Sequence, residues 1–165
     1  MKQKVANHKE LEKKFGTAVT DASKITETLN SSLKVFEQQR IEKEKEENTP
    51  KGKLKSIKRK LPEVITTLGA IKKEAKSNDL LESYADDALE CAGELSKALD
   101  AALKVEEKAM NIVDLRKKAT ALTSMTRNIG LYADRAKNPE KAKALQKSAY
   151  GYTEEFKHTL DMLRV

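Results

Sequence analysis

Tryptophan is absent from this chain of 165 residues, and only three Phe and four Tyr occur. Proline appears three times and glycine six. An all-β sandwich or barrel needs β-branched and aromatic strands with a turn every ten residues or so, and neither is present. A single cysteine, Cys91, excludes an internal disulfide and a cysteine-built zinc site. Lying between Leu89 and Ala92, it is expected as a small core hydrophobe in a reducing compartment. No apolar run approaches the roughly 18 residues of a membrane span. The opening MKQKVANHKELEKK has no apolar h-region, so no conventional secretory signal is expected and a cytoplasmic location is.

Catalytic constellations are equally scarce. There is no Gly-x-Gly-x-x-Gly, Walker loop or Gly-x-Ser-x-Gly. Of two histidines, His158 follows Glu155 at Glu-x-x-His spacing, but a di-iron bundle needs that unit twice, and His8 has no such glutamate. His158-Thr159-Leu160 resembles the opening of a histidine phosphotransfer motif, yet Asp161 and Met162 follow where Lys and Gly belong. A histidine near the end of a helix, where its charge suits the dipole, explains His158 more simply. Asp86 and Asp87 are adjacent, so on a helix their side chains diverge. The expectation is a protein that is not an enzyme, holds no metal or cofactor, and takes no small-molecule substrate.

What is abundant is charge, 36% of the chain, mixed with 38% hydrophobic residues in which Ala and Leu dominate. That is helical composition. Apolar positions repeat at steps of 3 and 4. Leu11, Phe15, Ala18, Ala22, Ile25, Leu29, Ser32 and Phe36 form the first seam, with Asn7 and Glu10 at capping-box spacing before it. Leu54, Ile57, Leu61, Val64, Leu68, Ile71 and Ala75 form a second seam that keeps step through Pro62, which predicts a kink there. The third runs from Leu81 to Ile112, headed by Asp79 and Glu82 at capping-box spacing, and is widened by Ala85, Leu89, Ala92, Leu99 and Leu103. A slip of phase near Asn111 to Asp114 separates the fourth, Leu115 to Ala136. Asn138-Pro139-Glu140 announces the last, with cap, proline and acid in order.

Helices are thus predicted over 7–46, 53–76, 79–110, 114–136 and 139–163, in an all-α antiparallel bundle of four to five helices with coiled-coil-like heptad packing and a single domain, 1–165. An unbroken first helix of about 60 Å exceeds the roughly 40 Å breadth of a compact chain this size, so the bundle is expected to be elongated. An overhanging first seam would invite a partner or a second copy. Gly69, Gly130 and Gly151 adjoin seam residues and are expected where helices approach closely.

Charge is unevenly placed. Residues 79–107 hold nine acids against two lysines, whereas 108–147 hold ten bases against three acids. An acidic helix between basic ones accounts for this, since opposite charge on antiparallel neighbours fixes register. One stretch is left over: Lys51, Lys53, Lys55, Lys58, Arg59 and Lys60, with no acid among them. Mutual repulsion, Gly52 and only three apolar anchors before Pro62 predict a mobile, exposed connection over 47–62. No aromatic residue in it offers a stacking platform for bases. The leading expectation is therefore a non-catalytic interaction or scaffold module, presenting long helical faces to another protein or to a second copy. The alternative is an anionic-surface binder, engaging membrane lipid or nucleic acid through these six residues.

Overall fold

A computed structural model describes the backbone of residues 2–163 and the side chains of residues 24–163. It is 88% helical. The helices are α1 (Lys2–Glu47), α2 (Pro50–Glu74), α3 (Leu80–Leu103), α4 (Ile112–Tyr132) and α5 (Pro139–Asp161), with single 3₁₀ turns at Glu107–Ala109 and Ala133–Arg135. No strand occurs among the described residues. The chain divides into two units, Met1–Lys45 and Glu46–Val165.

In the second unit α2 packs on α3, α3 on α4, α4 on α5, and α5 closes the ring on α2. The apolar seams account for this. Leu54, Ile57, Leu61, Val64, Leu68 and Ile71 of α2 are all buried, as are Leu81, Ala88, Cys91 and Leu95 of α3. The residues that widen α3's stripe, Ala85, Ala92 and Leu99, are also buried, because α3 has a neighbour on each side. Leu115, Leu122 and Ile129 of α4 and Phe156 and Leu160 of α5 complete the core.

The helix starts follow their caps. Thr49 Oγ1 accepts from Gly52 N ahead of Pro50, Asn111 Oδ1 accepts from Asp114 N, and Asn138 Oδ1 accepts from Lys141 N. Before α3, Asp79 caps through Leu80 N, and Asn78 turns the chain at φ 61°. Glu82 reaches back one residue further than a capping box requires and accepts from Asn78 N.

Several expectations are corrected. Helix α1 begins at Lys2, so Asn7 does not start it. Helix α2 begins at Pro50 rather than 53 and continues through Pro62. Helix α3 stops at Leu103 rather than 110: four of the five residues from Lys104 to Lys108 are charged, and Val105 and Ala109 are exposed although they fall on the seam's spacing. Helix α4 spans Ile112–Tyr132 instead of 114–136. A Cβ at Gly69 or Gly151 would meet nothing within 4 Å, so these are not sites of close approach, whereas at Gly130 it would lie 2.9 Å from the Gln146 side chain of α5.

Gly52 is a site of close backbone approach. A Cβ there would collide with the backbone carbonyl of Glu46 and lie 2.9 Å from Glu47 Cα. Its lack of a side chain lets the start of α2 fold tightly against the turn before it.

Candidate interaction surfaces

The basic stretch is helix, not a loose connection. Residues 51–60 form the first turns of α2, and Leu54, Ile57 and Leu61 are 0%, 2% and 1% exposed. The prediction of a mobile segment over 47–62 fails because it weighed only charges within the stretch. The acids that offset them come from elsewhere: Lys55 pairs with Glu46, Lys58 with Asp100 of α3, and Lys60 with Glu155 of α5.

These pairs also carry register. Lys58–Asp100 and Lys72–Asp86 both join α2 to α3; moving forward fourteen residues on α2 moves back fourteen on α3. Lys60–Glu155 and Glu74–Lys141 repeat the same offset between α2 and α5. Each seam is thus antiparallel and pinned at two points one above the other. Lys72 is held above the usual lysine range, first by its hydrogen bond to the Asp86 carboxylate. All of these pairs are at least partly solvated, so each contributes little to stability. The two that join α2 to the acidic α3 have the signs that the uneven charge predicted.

Lys51, Lys53 and Arg59 have no ion pair among the described residues. Lys53 and Arg59, with Lys60, the acid Glu47, Ser56, Thr159 and Met162, line an open groove of about 390 Å³ beside the end of α5. Arg116 answers the carbonyls at that end: its guanidinium donates to Leu160 O at 2.9 Å and to Leu163 O. Of the six candidate residues the groove therefore gathers three, while Lys55 and Lys58 serve the helix contacts.

A second surface lies on α1. Every described side chain from Lys24 to Glu47 is exposed. Ile25, Leu29, Leu33 and Phe36 are 62%, 59%, 64% and 68% exposed. At 100° per residue they share an arc of about 80°, and Val35 lies about 120° from its centre. Leu11, Phe15, Ala18 and Ala22, the rest of the seam, lie outside the residues whose side chains are described.

The remaining candidates are quiet. Cys91 is 6% exposed, its thiol 3.5 Å from Lys118 O, and burial pushes it above the usual cysteine range, so it is a core residue as predicted. His158 is exposed in the last turn of α5. No group of three or more His, Cys, Asp or Glu could hold a metal among the described residues. None of the described helices is long and apolar enough to cross a membrane.

Sequence reading missed the aromatic tie between α3 and α4. Tyr84 stacks on Tyr132 with centroids 5.1 Å apart, Arg135 lies over Tyr132 at 5.1 Å, and Arg135 also reaches Asp79 at 3.6 Å. Tyr84 and Tyr132 each occupied a seam position; their meeting depended on which helices became neighbours. Compared with known protein families, curated proteins and solved structures, the chain matches none.

Proposed function

We propose that the protein is a non-catalytic interaction module that offers the apolar face of α1 to another protein. The observation that carries this is the exposure of Ile25, Leu29, Leu33 and Phe36, each more than half open to solvent. Together they expose on the order of 500 Å² of apolar surface, near the upper edge of what a protein ordinarily leaves uncovered. The hydrophobic core of α2–α5 is assembled from those helices and the segments joining them, so that unit has no need of the stripe. A face of this kind suits helix-against-helix recognition, in which anchors at i, i+4, i+8 and i+11 enter a partner's apolar groove.

A photoreactive residue in place of Leu29 tests the reading. The expected product is an adduct with a separate polypeptide, foreign or a second copy. No adduct, or one only within the same chain, would refute it.

Lys53 and Arg59, which line the groove beside α5 and have no ion pair among the described residues, support a second reading, in which that groove engages an anionic, phosphate-bearing surface. Co-sedimentation with anionic vesicles and capture on oligonucleotides across a salt series tests it. Binding that falls steeply with salt and is lost in Lys53→Glu/Arg59→Glu supports it; no binding at low salt overturns it.

A further inference from the structure

Resting on the reading of α1 as a docking helix, we infer that its partner is α1 of a second copy, packed antiparallel. Three features of the chain favour a second copy over an unrelated surface.

The first is charge. Residues 2–14 carry five lysines and two glutamates, whereas residues 37–47 carry five glutamates against three bases. A parallel pair would set like ends together. An antiparallel pair sets the basic end of each helix beside the acidic end of the other, twice over.

The second is the size of the residues on the seam. Antiparallel helices face one another in layers whose residue numbers have a constant total. With that total at 47, seam positions 29 and 18, 25 and 22, 32 and 15, and 36 and 11 share layers. Three of these four layers combine a large residue type with a small one, the sequence pattern by which two seams fill their gaps. In-register parallel pairing would instead stack Phe36 on Phe36 and leave layers of Ala22 and Ser32 underfilled. The same total of 47 overlaps nearly the whole of α1, Lys2–Glu47. A partner matched to one register would have to supply this by chance; a second copy supplies it by symmetry.

The third is area. Twice the open apolar surface of residues 25–36 is about 1,000 Å², the least that a specific interface needs.

Light scattering on the full chain after size exclusion is the first test, from low to high micromolar. The expected mass is twice 18.5 kDa, falling to the single-chain mass in Leu29→Glu. Because Leu29 lies outside the core of α2–α5, that variant should keep the cooperative melt of that unit. A dimer that survives Leu29→Glu overturns the inference. Orientation is read by double electron–electron resonance on Glu37→Cys in a Cys91→Ala background. Antiparallel packing places residue 37 opposite residue 10, so the two labels stand about 40 Å apart along the pair. A separation under about 20 Å means parallel packing and overturns the antiparallel arrangement.

A monomer at every concentration refutes self-pairing outright, and thiol labelling of Ile25→Cys then separates two failures. Fast labelling in that monomer leaves α1 an open face for a foreign protein or a lipid surface. Labelling as slow as at Cys91 means that the chain covers its own stripe, and the docking reading falls with the inference.

Discussion

Replacing Leu61 by alanine decides whether the basic end of α2 belongs to the core. Leu61 is 1% exposed and stands directly after Arg59 and Lys60, the densest positive charge in the chain. Burial of this degree sets the cost of Leu→Ala at about 2–5 kcal/mol, the lost transfer of the side chain plus the cavity it leaves. A middle value of about 3 kcal/mol can be turned into a temperature. The unit Glu46–Val165 spans 120 residues. At about 2.1 cal/mol/K per residue its unfolding entropy is about 0.25 kcal/mol/K, so the melting temperature should fall by about 12 °C. Circular dichroism at 222 nm during thermal and urea unfolding reads this directly. Leu131→Ala is the control: with Leu131 at 72% exposure its effect should stay within about 0.5 kcal/mol. A Leu61→Ala loss under about 1 kcal/mol would refute the packing described for α2 and restore a loose basic segment.

Three further outcomes follow from the same structure. Gly52→Ala should destabilise by more than about 1 kcal/mol, because its Cβ meets the Glu46 carbonyl, while Gly69→Ala and Gly151→Ala, with open space around them, should stabilise by about 0.4–1 kcal/mol in the same melts. Limited trypsin digestion should cut in the exposed stretch Lys24 to Lys45 before it cuts between Lys51 and Lys60; first cuts in the latter would count against the buried anchors Leu54 and Ile57. Cys91 should react slowly with Ellman's reagent at pH 8 in the folded protein, and since its folded-state thiol titrates above the ordinary value of 9.0, this residue's contribution to stability is present below pH 9 and lost as pH rises through the raised value. Rapid reaction at pH 8 would place the thiol on the surface.

Spacing alone determined most of the core. Leu54 through Ile71 repeat at the helical period, and a helix whose apolar residues share one stripe must bury that stripe against something. The caps at Asp79 and Asn138 were equally legible, because a cap depends on residues within one turn of it, whereas those at Thr49 and Asn111 open helices that the spacing began three and two residues later. Failures began where the outcome depended on distant residues. Val105 and Ala109 keep the seam's spacing, yet lie where the chain leaves α3, so spacing promised more helix than packing used. Thr123, Thr126 and Thr153 are polar by type and buried in fact. Their hydroxyls bond carbonyls one turn back, and Thr123 also reaches Thr153 O across to α5 at 3.2 Å.

The basic stretch shows the division most clearly. Its charges, its glycine and its three anchors are all visible in the sequence, and each taken locally argues for a mobile segment. Only the ring of α2–α5 brings Asp100, forty-two residues from Lys58, and Glu155, ninety-five from Lys60, to where they neutralise it. Local interactions such as helix period and capping are set by residues a turn apart, so a linear reading contains them. Whether a charge is paired or an apolar stripe is covered depends on helices that only folding makes neighbours, and tertiary structure alone decides it.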